Sequence, residues 1–325
     1  MTIGGLGDAI LFSPVLRALR FRYPQAEIEL LLASRLAELA FAKATEIDRT
    51  IFINISKSFL PLRVAKFVPF ALRSRIYGGF DIGVFSTGLN PKLPVLLKLT
   101  AGIHNVFCAP NPPTYDTDLS CNLALACRFD ENIGEGDVFI QLNDNASVEA
   151  KQRLGSFGIT DETDKIIAVY PSADLRHRPR WEIFKLLQVI NLIRENGFRG
   201  KVVVLGSAEE GCEWIKADTE GEADAVLAGK LSIMGSAAIL GRCCLAVGND
   251  GGLMHVAGAL GCPVVVVMTN TPLSYRPPGQ KTKVVHSRLT CCNGLYPNRP
   301  KSCKRAKCSD DITVREVFEA CQQML

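Results

Sequence analysis

The chain has 325 residues, 47% of them hydrophobic and 22% charged, which excludes a disordered or fibrous protein and favours two domains of ordinary size. A net charge of +4 is too small to argue for a nucleic-acid partner. No apolar run reaches the roughly 20 residues that span a bilayer, Asp8, Arg17, Arg20 and Arg22 stand where a signal peptide is apolar, and twelve cysteines fall short of a disulfide scaffold. A reduced, cytoplasmic protein is expected.

In chain order, strands are expected at Glu27 to Leu32, Thr50 to Ile53, Asp81 to Phe85, Asn105 to Cys108 and Val138 to Gln141. Helices are expected between them near Ile10 to Arg22, Arg35 to Lys43 and Leu62 to Tyr77, with Pro14 tolerated as a bend. The second half repeats the alternation. Its strands are Lys165 to Tyr170, Lys201 to Leu205, Ala225 to Ala228, Cys244 to Val247 and Val264 to Met268, with helices near Trp181 to Asn196, Ala208 to Ala217, Ile233 to Gly241 and Leu253 to Leu260. Such alternation specifies an α/β fold with parallel sheets covered by crossover helices. The polar stretch Asn143 to Asp164 places the boundary near residue 150, giving domains 1–150 and 151–325. Ligands of doubly wound sheets bind outside the carboxyl ends of the strands, so the loops after strands are the candidates.

The most informative loop is Gly248-Asn249-Asp250-Gly251-Gly252-Leu253-Met254-His255, between an apolar run and a helix that Gly261 and Pro263 stop. Asp250 is a natural N-cap, and Gly251 and Gly252 leave first-turn N–H groups open to a phosphate. A capped, tightly packed helix with no ligand fits the same residues. Thr269 and Thr271 follow the next strand at the same sheet edge. Glu209, in the loop opened by Gly206, either binds a ribose or only stabilises a helix dipole. Arg176, Arg178 and Arg180 form a basic loop before Trp181, suited to a diphosphate or simply solvated. At the amino terminus Gly4-Gly5-Leu6-Gly7-Asp8 is neither a dinucleotide fingerprint nor a P-loop. Asp8 there is a helix cap or a general base.

The pattern Gly7-Asp8…Pro14…Leu19…Pro24, followed in the right order and separation by Asn249-Asp250-Gly251-Gly252-Leu253-Met254-His255-Val256-Ala257, resembles glycosyltransferase family 9, which contains the bacterial lipopolysaccharide heptosyltransferases. The resemblance covers nearly the whole chain. It implies the GT-B architecture, two Rossmann-like domains facing a central cleft, and inverting transfer of heptose from ADP-heptose to the lipopolysaccharide inner core with no metal and no cofactor. It further implies Asp8 as the catalytic base, with Gly7 on the acceptor; Arg63 and Lys66, of the basic segment Lys57 to Tyr77, are read as acceptor residues from their charge. Arg178, Arg180, Glu209, Asp250, Gly251, Gly252, His255, Thr269 and Thr271 would hold the donor. Expected partners are therefore a nucleotide sugar and a lipid-linked anionic glycan, at the cytoplasmic face of the inner membrane. Rival readings are a transferase using another nucleotide sugar and a family member that binds without turnover.

The chain differs from the family pattern in three places. Gly251 replaces a hydroxyl residue, Arg178 or Arg180 stands for a lysine, and only Met1-Thr2-Ile3 precedes the glycine loop where the family has an apolar strand, so a truncated first strand is expected. Cys291, Cys292, Cys303 and Cys308 lack zinc-ribbon spacing and are assigned a local structural role. Arg63, Lys66, Arg73 and Arg75 among apolar residues from Lys57 to Tyr77 read as a basic amphipathic surface helix or as a core helix with a solvated edge.

Overall fold

A computed structural model of the chain describes residues 1–2, 4–53, 66–87, 92–110, 116–160, 164–171, 181–206, 223–289 and 307–325. Two compact units divide between Gln141 and Leu142. The expected boundary at 150 falls instead inside a helix of the second unit. Asn143 caps that helix by accepting the Ala146 N–H, and its Ala146, Ala150 and Leu154 are buried, so the polar stretch opens with a packed element.

The first unit opens with α1 (Leu6–Arg22), whose Pro14 is kept in the helix. Proline has no N–H for the Ile10 carbonyl one turn back; the Ser13 hydroxyl donates to that carbonyl at 2.7 Å and itself accepts the Phe139 N–H at 2.9 Å. This bond also explains why Val138 to Gln141, expected as a strand, is none. Its consecutive apolar residues Val138, Phe139 and Ile140 are buried in an extended segment after a short 3₁₀ turn, Glu135–Asp137, without a strand partner among the described residues. β1 (Glu29–Leu32) pairs in parallel with β2 (Arg49–Phe52), across α2 (Arg35–Phe41). After α3 (Val68–Ile76), β3 (Phe80–Phe85) pairs in parallel with β4 (Ile103–Cys108) across α4 (Lys92–Ala101), and α5 (Asp118–Ala126) follows. α4 and α5 were not legible as helices. Where the central strand was expected to be truncated, Thr2 bridges Leu32 of β1, and the Met1 nitrogen donates to the Val84 carbonyl of β3 at 2.6 Å.

Of the expected basic helix, only α3 lies in the described residues, apart from Lys66 before it. Arg73 binds Glu29 at 2.7 Å, and Arg75 donates to the Leu99 and Thr100 carbonyls, so both arginines are committed within the unit.

The second unit holds α6 (Asp144–Gly155), β5 (Ile166–Tyr170), α7 (Ile183–Glu195), β6 (Lys201–Val204), β7 (Ala225–Val226), α8 (Ile233–Leu240), β8 (Leu245–Asn249), α9 (Gly252–Ala259), β9 (Val264–Met268) and β10 (Thr282–His286), then α10 (Lys307–Asp310) and α11 (Val314–Gln322). Its strands form one parallel sheet in the order β10-β9-β8-β5-β6-β7. In order of appearance this is the doubly wound 3-2-1-4-5-6 arrangement, which reverses between β5 and β8. β5, β8 and β9 are buried at every residue, as strands covered on both faces must be. Burial holds the thiols of Cys243 and Cys262 in the protonated state, that of Cys262 pushed up to about 12, so both pack as small core residues. Cys308 is buried in α10; Cys291, Cys292 and Cys303 lie outside the described residues.

Candidate functional site

At the reversal point of the second sheet the carboxyl ends of β5 and β8 lie side by side. Asn249, the last residue of β8, is 2% exposed. Its side-chain oxygen accepts the Trp181 N–H at 2.7 Å, and its amide donates to the Pro171 and Trp181 carbonyls at 2.8 and 2.9 Å. One amide thus ties together the two residues flanking 172–180, the stretch that carries Arg178 and Arg180. Trp181 is held from the other side, its indole N–H donating to the Ile312 carbonyl at 3.0 Å. The sequence reading had no place for Asn249 because its role is made wholly of contacts distant in sequence.

Asp250 does not cap α9. Its N–H donates to Val267 of β9, and its buried carboxylate faces His255, 3.9 Å away and also buried. The N-cap is Gly251, extended and without a capping side chain, and Gly252 is the first helical residue. A Cβ on Gly251 would sit 2.6 Å from the Tyr170 ring, so any side chain at this position must push that ring aside. The early N–H groups of a helix have no intrahelical acceptor and lie at its positive end, which suits an anionic ligand. The far end matches expectation: Gly261 adopts φ +75°, and Cys262 N–H returns to the Ala257 carbonyl. Thr269 and Thr271, both buried, follow β9. Between them Asn270 has a buried side-chain oxygen with no hydrogen-bond partner among the described residues. The structure therefore brings Asp250, Gly251, Gly252, His255, Thr269 and Thr271 to one sheet edge. Arg178, Arg180 and Glu209 fall outside the described residues.

In the first unit Gly7 and Asp8 lie in the first turn of α1. Asp8 Oδ2 accepts the Gly5 N–H at 2.6 Å, so it closes the helix start as the third residue in and not as the N-cap. Beside it is Asp118, buried in the first turn of α5. Burial, with the Asp8 charge as a second cause, pushes the Asp118 carboxyl up to about 7. Lys66 is exposed just before α3; Arg63 lies outside the described residues.

Two expectations follow from this geometry. Gly251→Val should leave the second unit folded yet weaken ADP binding at least about tenfold, the cost of losing one charged contact, in calorimetry. Unchanged affinity in a folded variant would place the anion elsewhere. Because Asp118 keeps its proton when folded up to about pH 7 but ionises near 4 when unfolded, it binds the extra proton in the native state, and its contribution to stability falls as pH rises through that window. Thermal melts should show Asp118→Asn gaining more over wild type at pH 8 than at pH 4. An equal gain at both pH values would contradict the burial of an ionisable Asp118.

A doubly wound unit with its anion-ready helix at the switch point, following a first α/β unit, fits the GT-B architecture, and solved structures share the fold. The family 9 glycosyl transferase from Veillonella parvula DSM 2008 aligns over 99% of this chain and 96% of its own, with a TM-score of 0.77 at 19% identity. Escherichia coli ADP-heptose lps heptosyltransferase II aligns over 99% and 97%, with a TM-score of 0.69 at 20% identity. The model of glycosyltransferase family 9 (heptosyltransferase) matches residues 123–308, and the chain belongs to this family. Lipopolysaccharide heptosyltransferase 2 of Escherichia coli (strain K12) is 24% identical to it over 300 residues, 86% of this chain and 85% of that protein.

Proposed function

We propose that this glycosyltransferase moves heptose from ADP-heptose to the lipopolysaccharide inner core, inverting the anomeric centre without a catalytic metal or other cofactor. The observation that carries the reading is the α9 start at the β5/β8 switch point, where Gly251 is kept bare against Tyr170 and Asn249 anchors the ends of the arginine loop. The diphosphate sits on the N–H groups of Gly251 and Gly252, with Arg178 or Arg180 as its cation and Glu209 on the nucleoside. Thr269, Thr271 and the unpaired Asn270 oxygen face the rest of the donor; the Asp250–His255 pair fixes the loop.

In the reaction the acceptor hydroxyl oxygen bonds to the anomeric carbon as the bond to the diphosphate oxygen breaks. The hydroxyl proton passes to Asp8, whose Oδ2 is oriented by the Gly5 N–H and whose Oδ1 receives the proton. Charge developing on the leaving ADP meets the helix-end N–H groups and an arginine, arranged before the reaction begins.

Lys66 and Arg63 attract the anionic acceptor. After Lys66, α3 exposes Val68, Leu72 and Ile76 at four-residue spacing, and α4 exposes Val95 and Leu99. We place this exposed apolar face, with the basic residues before it, on the cytoplasmic surface of the inner membrane as a peripheral contact. Calorimetry with ADP, UDP and GDP tests the donor: ADP should bind most tightly, and a preference for UDP or GDP would overturn the assignment.

A further inference from the structure

The first unit buries a second carboxyl group near Asp8, that of Asp118. It lies in the first turn of α5 and is 6% exposed, behind the helix cap Thr117, whose hydroxyl accepts the Ser120 N–H at 2.9 Å. Asp8, in the first turn of α1, is only half-buried, so a substrate can reach it.

Two contacts fix how these helices run. Midway along, the buried Asn122 amide of α5 donates to the Leu11 carbonyl of α1 at 3.1 Å. Past their far ends, the Tyr23 ring after α1 meets the Phe129 ring after α5 edge-on, with centroids 6.4 Å apart. The helices are therefore parallel, and their starts lie side by side. Asp118 stands four residues before Asn122, on the face of α5 that is turned to α1, and Asp8 stands three residues before Leu11. The Thr87 N–H, just after β3, donates to the Asn122 side-chain oxygen at 3.4 Å, so this corner sits beyond the carboxyl end of a strand, where such folds bind ligands.

We propose that Asp118 is a positioning residue for sugar transfer, a carboxylate standing behind Asp8 that helps it hold the proton released by the acceptor hydroxyl. The proposal rests on the reading of Asp8 as the base. Of two neighbouring carboxylates, each favours a proton on the other, because protonation relieves the repulsion between them. A lone aspartate is a weak base at neutral pH, and general-base catalysis improves as the proton affinity of the base approaches that of its surroundings. The acceptor touches Asp8 alone; Asp118 acts through it.

The groups around Asp118 leave Asp8 as its partner. From α1 it faces the Asp8 carboxylate, and on its own helix Cys121, a thiol that burial keeps protonated. Asp116, before the helix, is exposed, and Ser86 and Thr87 after β3 carry no charge. Burial, with the Asp8 charge second, keeps Asp118 protonated up to about pH 7, so its carboxylate is present above that pH and absent below it.

The test measures kcat/KM for the acceptor at saturating ADP-heptose, from about pH 5.5 to about pH 9, in wild type and in Asp118→Asn. Wild type should rise about three- to tenfold through pH 7. Asp118→Asn should lose that rise, fall below wild type at pH 8 by the same factor, and keep its ADP affinity within about twofold. A rise that persists in the variant, or equal rates at pH 8, would overturn the proposal. A second readout needs no change at Asp118: in carbon NMR titrations its carboxyl should ionise at lower pH in Asp8→Asn than in wild type, since the neighbouring charge is gone. An unmoved midpoint would also overturn it. The two readings fail differently: Asp8→Asn with wild-type transfer removes the base and this proposal together, whereas an inactive Asp8→Asn beside an unchanged pH rise in Asp118→Asn removes the role of Asp118 alone.

Discussion

Asp8→Asn should lower the rate of sugar transfer by roughly 10² to 10⁴ while ADP affinity stays within a few fold. The asymmetry follows from the role we propose for Asp8, to take the acceptor's proton without touching the nucleotide, which we place on the second unit. An asparagine oxygen can still accept the Gly5 N–H at 2.6 Å, so the helix start survives the change. The variant therefore separates the two roles of this residue. Steady-state transfer with calorimetry on the same preparation makes the measurement. Transfer at the wild-type rate would leave Asp8 as a helix-start residue only.

Asn249→Ala should destabilise the second unit by roughly 2 to 5 kcal/mol, because it leaves the Trp181 N–H and the Pro171 and Trp181 carbonyls without their partner in a buried site. For a unit of this size that corresponds to a fall of about 5 to 15 °C in melting temperature. ADP affinity should fall as well, since the ends of the arginine loop are no longer held. Asn249→Asp sharpens the test: it keeps the acceptor for Trp181 N–H but replaces two donors with a buried charge, and should be no better than alanine. An Asn249→Ala protein that melts and binds ADP like wild type would show that the loop is anchored by other means.

The parts of the fold that could be read from the chain are those whose signal is local. Val264 to Met268 is a run of four valines and a methionine bounded by Pro263, and it is β9 to the residue. The end of α9 was legible because Gly261 must adopt positive φ there. Elements failed where tertiary contacts outweigh pattern. Val138 to Gln141 has the short β-branched and aromatic run of a strand, yet it is fixed by the Ser13 hydroxyl and by burial. β10 was missed because it is an edge strand, half-buried throughout, with Thr282 and Lys283 diluting its apolar pattern. At the site, the glycine-rich helix start was visible in sequence, but what Gly251 packs against was not, since the Tyr170 ring that a Cβ would meet comes from a strand some eighty residues earlier. Asp250 was read as a cap from its position, and the structure assigns the cap to Gly251. Asp118 gave no sequence signal at all; its raised pKa comes from burial beside Asp8.

The most direct measurement is transfer itself: purified chain, ADP-heptose and a lipopolysaccharide core acceptor lacking the added heptose, in the presence of EDTA, with product and ADP followed together. The account predicts one ADP released per heptose added, with the new linkage opposite in anomeric configuration to the donor. Retained configuration, a requirement for a divalent metal, or transfer from another nucleotide sugar but not from ADP-heptose would contradict it.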